Sequence, residues 1–233
     1  NMFGGGFDAA HLSTTGIDRI EVVRGPQSAI FGGGAIGSIV NVTTRSGGPT
    51  AGQALFEGGS QGYSRFSGSA AGSRGPWSWG GAFERLTTDG DTSFRESIGG
   101  PVSNDDYERV IGSLSGGWSD RATRRVRIDA RFGRDERGNP GPYGSDPLGL
   151  YGGLDTVSRG INDTRGIAGS LALGDARRAQ HRVQAAWSDA PSQYLSPYGE
   201  SHDQTQRITG RYQADLERRR GGLSAGWEIL REQ

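Results

Sequence analysis

Between residues 109 and 118 apolar and polar positions take turns. Val110, Gly112, Leu114, Gly116 and Trp118 fall on one face; Arg109, Ser113 and Ser115 fall on the other. A period of two is the signature of a β-strand with two unlike faces. Residues 125–133 repeat it more sharply, with Val126, Ile128, Ala130 and Phe132 opposite Arg125, Arg127, Asp129 and Arg131. Residues 207–216 set Ile208, Gly210, Tyr212, Ala214 and Leu216 against Arg207, Thr209, Arg211, Gln213 and Asp215. Residues 182–188 set Val183, Ala185 and Trp187 against Arg182, Gln184 and Ser188. Weaker versions lie near 53–58, 63–72, 77–86, 165–173 and 222–230, about nine strands in all. Rows of ionised groups cannot face hydrocarbon, and the apolar rows opposite have no reason to face water. Most of these strands are long enough to cross a bilayer at a tilt.

The connections alternate as well. Short turns are expected at 73–76, 119–124, 174–178 and 217–222. The other ends carry a tight link at 59–62 and longer links at 87–106, 134–163 and 189–203. Short turns at one end and mostly long loops at the other is the layout of an outer-membrane barrel, in which the short turns face the periplasm. Trp77, Trp79 and Trp118 then fall near the periplasmic interface, as an aromatic girdle requires. A soluble β-sandwich is the competing reading, but its strands are usually ~5–6 residues long. It would not place arginine at every second position of one face.

Composition narrows the function classes. Hydrophobic residues are 32% of 233, low for a globular core, and no run of 18 apolar residues exists, so no transmembrane helix is expected. A transmembrane barrel needs neither. The net charge is zero, which gives no electrostatic case for nucleic acid. There is no Cys, which removes disulfides, thiolate nucleophiles and Cys-type zinc sites. Every basic residue is Arg, so no Schiff-base or phosphate-loop lysine is available. No nucleophile–base–orienter set is visible, and the chain is read as no enzyme. His11, His181 and His202 stand apart, without metal-ligand spacing.

The first fifty residues follow different rules. Gly32, Gly34 and Gly37 match the G-x-G-x-x-G spacing of a dinucleotide-binding turn. That turn must open a helix. Here Ile39, Val40, Val42, Thr43 and Thr44 follow, and β-branched residues of this kind make a strand. The glycines are therefore read as allowing a tight turn and close packing between two strands.

The whole unit, "IDRIEVVRGPQSAIFGGGAIGSIVNVTTR", resembles the C-terminal segment of the plug domain of TonB-dependent outer-membrane receptors. Arg24, Gly25, Pro26, Ser28, Ala29, Gly32, Ala35, Ile36, Gly37 and Asn41 match that family's pattern. Phe31 replaces the usual Tyr, and Ser38 the second Gly of a pair. The resemblance covers about 30 residues and implies a plug inside a large barrel of about 22 strands. The expected architecture is mostly β. Residues 1–48 form the C-terminal part of a plug, and 49–233 the first nine or so antiparallel strands of the barrel. Nine is odd and single-chain bacterial barrels close with an even number, so an internal fragment is expected. In related receptors the arginine of R-G-P pairs with barrel-wall glutamates and helps hold the plug; the resemblance gives Arg24 that role. It also implies TonB-driven import of a scarce nutrient, such as a ferric siderophore or cobalamin, with the TonB complex and membrane lipid as partners. A passive porin and a soluble β-rich binding protein are the alternatives.

Two loops offer further candidates. The link 134–163 is too long for a plain connector and carries Tyr143, Asp146 and Tyr151 at the expected extracellular mouth, where family members bind substrate. The link 87–106 gathers Asp89, Asp91, Asp105 and Asp106. Cobalamin receptors of the family carry calcium in such loops. Calcium needs six to eight oxygens, and "DGDTSF" lacks the EF-hand glycine at its sixth position, so a solvated acidic loop is the stronger expectation.

Overall fold

The computed structural model describes residues 13–25, 38–90, 105–120, 123–139, 157–175, 178–218 and 221–233. Among them every regular element is a strand. β1 (Ile17–Arg24) and β2 (Ser38–Thr44) form a two-stranded antiparallel sheet. The rest is one nine-stranded sheet of β3 (Ala51–Gly58), β4 (Ser64–Arg74), β5 (Trp77–Thr88), β6 (Tyr107–Ser119), β7 (Arg124–Gly138), β8 (Arg159–Asp175), β9 (Ala179–Ser196), β10 (Gly199–Arg218) and β11 (Gly221–Glu232). Within this larger sheet each strand pairs antiparallel with its neighbours in sequence.

Alternation and register assign every strand residue to one of two faces. The outward face carries a continuous apolar belt. It holds Trp77, Trp79, Gly81 and Phe83 on β5, and Trp118, Gly116, Leu114, Gly112 and Val110 on β6. It continues through Val126, Ile128, Ala130 and Phe132 on β7 and Leu173, Leu171, Gly169 and Ile167 on β8. Val183, Ala185 and Trp187 extend it onto β9, Leu216, Tyr212 and Ile208 onto β10, and Leu223, Trp227 and Ile229 onto β11. Seven to nine tilted residues at ~3.3 Å each give a belt roughly 20 Å tall, close to the ~25 Å band of outer-membrane barrels. Aromatic rings join its strands: Phe56 to Phe66 at 4.7 Å, Phe66 to Phe83 at 6.2 Å, Tyr212 to Trp227 at 6.4 Å. Trp77 and Trp118 are register partners beside the short turns.

Burial is inverted relative to a water-soluble protein. Among the described residues Ala71 is the one buried hydrophobic side chain, whereas Ser13, Ser67, Glu84, Arg109, Ser158 and Asp189 are buried. Leu114 is 66% exposed and Ile229 61%. An apolar surface this continuous meets something other than water, and a soluble sandwich would have covered it. Lipid fits, because each inner strand satisfies its backbone through both neighbours.

The short turns are built locally. Gly75 takes φ +61° to close the β4–β5 hairpin. The Asp120 carboxylate accepts hydrogen bonds from the Thr123 and Arg124 N–H groups at 2.8 Å, closing the β6–β7 connection. One expectation is corrected: residues 189–203 are not a long link. β9 runs to Ser196 and β10 starts at Gly199, so the connection is a tight turn at Pro197 and Tyr198. Residues 134–138 and 159–163 are likewise strand and not part of a link. Above the belt neither face meets lipid, so residues such as Asp189, Gln193, His202 and Gln204 are polar on the outward side as well. The period of two fades there while the hydrogen-bond ladder continues.

Lipid contact predicts a face-specific cost. In the barrel, Ile128→Arg at mid-belt is expected to cost about 2–4 kcal/mol, while Gln184→Arg on the opposite face, where the side chain is exposed, is tolerated far better. Urea unfolding in lipid vesicles measures both; equal costs would show that the belt does not face hydrocarbon.

Candidate functional site

The inward positions of β5 read Ser78, Gly80, Ala82 and Glu84: three small residues, then one acid. The segments flanking the β1–β2 hairpin lie along this row. Residues 45–48 follow Ser78 and Gly80, and residues 13–16 follow Ala82 and Glu84.

Glu84 is fully buried. One of its carboxylate oxygens accepts from Arg65 Nη2 at 2.8 Å and Nε at 3.2 Å, and the other from Arg109 Nη2 at 2.6 Å. Two hydroxyls complete the shell, Ser13 Oγ and Thr15 Oγ1, each at 2.8 Å. Arg65 also reaches Glu57 at 2.9 Å. The wall itself, through Arg65 on β4 and Arg109 on β6, neutralises the buried charge, as a buried carboxylate requires. The hairpin contributes only neutral donors.

Close backbone approach holds the remainder of the seam. A Cβ on Gly80 would stand 2.3 Å from the Arg45 carbonyl oxygen, and one on Gly16 would stand 2.5 Å from Ala82 Cβ. The Arg45 N–H donates to the Gly16 carbonyl at 2.8 Å and the Gly47 N–H to the Trp79 carbonyl at 3.1 Å. The Gly48 N–H donates to Ser73 Oγ at 3.0 Å, and Arg127 donates to Ser46 Oγ.

Beyond the seam, residues 41–44 of β2 and the inward faces of β7 to β10 enclose a cleft of about 840 Å³. Arg127, Arg131, Arg207, Arg211 and Gln184 line it. The arginines are largely neutralised sideways: Arg127 by Asp129 at 2.6 Å, Arg207 by Glu232 at 2.7 Å, and Arg211 by Glu228. The lumen face is therefore a lattice of paired charges rather than a bare cationic surface.

The residues expected from the sequence fall in different places. Asn41 borders the cleft and donates to Glu21, its register partner, at 3.0 Å. Gly25 takes φ +100° with open space around it, so its need is conformational. Arg24 ends β1, is exposed, and makes no ion pair among the described residues. The wall glutamate at the seam, Glu84, takes its hairpin contacts from Ser13 and Thr15. Pro26, Ser28, Phe31, Gly32, Gly37, Asp91, Tyr143, Asp146 and Tyr151 lie outside the described residues. Asp106 is held by Arg159 through both oxygens, at 2.8 and 3.0 Å. The Asp89 carboxylate lies over Gly62, and the Asp105 carbonyl over Gly90. Among the described residues no group of three His, Cys, Asp or Glu side chains could hold a metal ion. Sequence reasoning missed Glu84 and the two hydroxyls. A lone acid ending a row of small inward residues was the available signal.

Comparison with known proteins agrees with this geometry. Residues 1–39 match the family described as TonB-dependent Receptor Plug Domain. A hairpin from the plug-like segment seated on the inner face of a wall with an apolar exterior is the arrangement that such a plug calls for, and the match is to the TonB-dependent receptors over this segment. It is similar to the vitamin B12 transporter BtuB of Photobacterium profundum, with 38% identity over 77 residues, which are 33% of this chain and 13% of that protein. Its fold is similar to that of the copper transporter OprC, at a TM-score of 0.67 and 15% identity over 91% of this chain and 32% of that one. The siderophore receptor PiuA from Acinetobacter baumannii gives 0.67 and 12%, over 92% of this chain and 35% of that one. The chain thus spans about a third of the length of these solved structures.

The seam makes two measurable demands on the protein. Glu84→Ala leaves Arg65 and Arg109 facing each other without their carboxylate, a loss of about 3–5 kcal/mol, whereas Ser13→Ala with Thr15→Ala costs about 1–3 kcal/mol. Hydrogen exchange over residues 13–25 should rise in that order, and unchanged protection in Glu84→Ala would remove the carboxylate from its role. Gly80→Val forces the Arg45 carbonyl off the wall. Protease cleavage near residues 45–48 should then quicken while the barrel stays folded.

Proposed function

We propose that this protein imports a scarce metal-bearing nutrient across the outer membrane, energised from the inner membrane through TonB. The observation that carries the reading is the seam, in which a plug hairpin is pinned against the inner wall of a membrane barrel. A passive pore has no use for such a seam. The hairpin's hold at Glu84 consists of two neutral hydrogen bonds to a carboxylate that the wall neutralises on its own. Withdrawing residues 13–16 therefore strands no charge, and a pull on the plug can open the seam without disrupting the barrel. The arginine–carboxylate lattice beyond it gives a polar, hydrated lining for a large cargo.

The cargo class rests on the relatives, whose names specify vitamin B12, copper and siderophores. All three involve a metal or its chelator. Extracellular capture is assigned to the segment that holds Tyr143, Asp146 and Tyr151, with R-G-P Arg24 helping to seat the plug.

Growth tests the proposal. Deleting the gene should abolish growth when a single metal chelate or cobalamin is limiting, and deleting TonB should give the same phenotype. Uptake that persists without TonB would show that the import is passive.

A further inference from the structure

The seam closes one side of the inner face and leaves the other open. Along β5 the backbone of residues 45–48 lies against the wall, whereas between β2 and the strands β7 to β10 a cleft of about 840 Å³ remains. That is the size of a small-ligand pocket. Register lays out its wall. Arg131 on β7 faces Gly166 on β8, Gly166 faces Ser188 on β9, and Ser188 faces Arg207 on β10. The adjacent inward level reads Asp129, Ala168, Ala186 and Thr209. Small side chains therefore floor the space between two arginines that stand three strand spacings, ~14 Å, apart.

The charges around this floor do not balance. Four arginines line the cleft, Arg127, Arg131, Arg207 and Arg211, and one carboxylate, Asp129. Asp129 lies between Arg127 and Arg131 on one face of β7, and Arg127 takes both of its oxygens, with Nε at 2.7 and 3.0 Å and Nη2 at 2.6 Å. Glu232 and Glu228 hold Arg207 and Arg211 from β11. Arg131 is exposed and pairs with no carboxylate among the described residues. Its side chain leans across β8, where a Cβ on Gly166 would stand 3.3 Å from Arg131 Nε. The guanidinium is thus carried over the glycine, with the Ser188 hydroxyl on the strand beyond. Such a fork of N–H donors fits a carboxylate through two parallel hydrogen bonds.

We propose that Arg131 is an anion-binding residue inside the barrel. It takes a carboxylate in the cleft between residues 41–44 of the plug hairpin and the wall, with Ser188 as a further donor. The ligand class is a small carboxylate-bearing molecule, including a metal chelate whose chelator carries carboxylates. A bare metal cation is disfavoured by a wall with this excess of arginine. The site lies on the side that the seam leaves open, so a cargo held there passes along β7 to β10. That the anion belongs to the cargo rests on the import proposed above; the anion site itself does not.

The test is calorimetric titration of the full protein in detergent, with citrate and its neutral trimethyl ester as probes. Wild type should bind citrate and not the ester. Arg131→Gln should weaken citrate about tenfold, the loss expected for a hydrogen-bonded charge. Gly166→Asp, which offers Arg131 a carboxylate from the facing strand, should weaken it as much while the arginine is kept. Arg125→Gln removes an exposed arginine on the same face of β7 outside the cleft, and should change nothing. Absence of citrate binding by wild type would overturn the proposal. So would equal binding of the ester, or unchanged affinity in Arg131→Gln. Should Arg131→Gln fail to fold, Gly166→Asp against wild type decides. TonB-dependent growth with citrate affinity indifferent to Arg131 would sink this site and leave the import standing; citrate held by Arg131 in a protein whose uptake ignores TonB would do the reverse.

Discussion

Backbone polarity in a solvent without water governs this structure. Within the bilayer every N–H and C=O must find its partner on a neighbouring strand, since nothing else there can hydrogen-bond. Nine strands paired in sequence order meet that demand for each strand that has two neighbours. The side chains are then freed from building a core. One face can turn to hydrocarbon and the other to a polar lumen, which is why the buried side chains include Glu84 and Arg109 while Leu114, Ile128 and Ile229 are exposed.

That arrangement poses a second problem. A lumen face made of charges is a poor surface on which to seat a plug. The seam meets it with two opposite devices on one strand. Ser78, Gly80 and Ala82 remove side-chain bulk, so that the backbone of residues 45–48 and of Gly16 can lie against the wall. Glu84 then supplies a fully neutralised carboxylate as an acceptor for hydroxyls. Steric fit and hydrogen bonding secure the plug, and the charges stay with the wall whether or not the hairpin is in place. A firm barrel and a releasable insert are thereby compatible.

The alternation of residues such as Val126 to Phe132 against Arg125 to Arg131 made the membrane strands legible, because lipid and lumen impose unlike chemistry on successive residues. Above the belt the rule lapses. The strand pairing of Asp189 to Ser196 with Gly199 to Gln206 left no periodic trace, and this stretch read as a loop. The plug segment was legible through Arg24, Gly25, Pro26 and Asn41 and the glycines between them. Those residues identify the hairpin without revealing what it touches.

The sequence alone therefore determined the two unlike faces of the clearest strands, that about nine such strands follow one another, and that a segment resembling a plug precedes them. All three are local, written in a period of two and in a run of backbone-specific residues. Only the tertiary structure decided the seam. Glu84 is 71 residues from Ser13 and 25 from Arg109, and Ser46 is 81 from Arg127. No local pattern encodes such contacts. They exist because the sheet's register brings inward positions of β4, β5 and β6 side by side beneath a hairpin that alternation alone could not place.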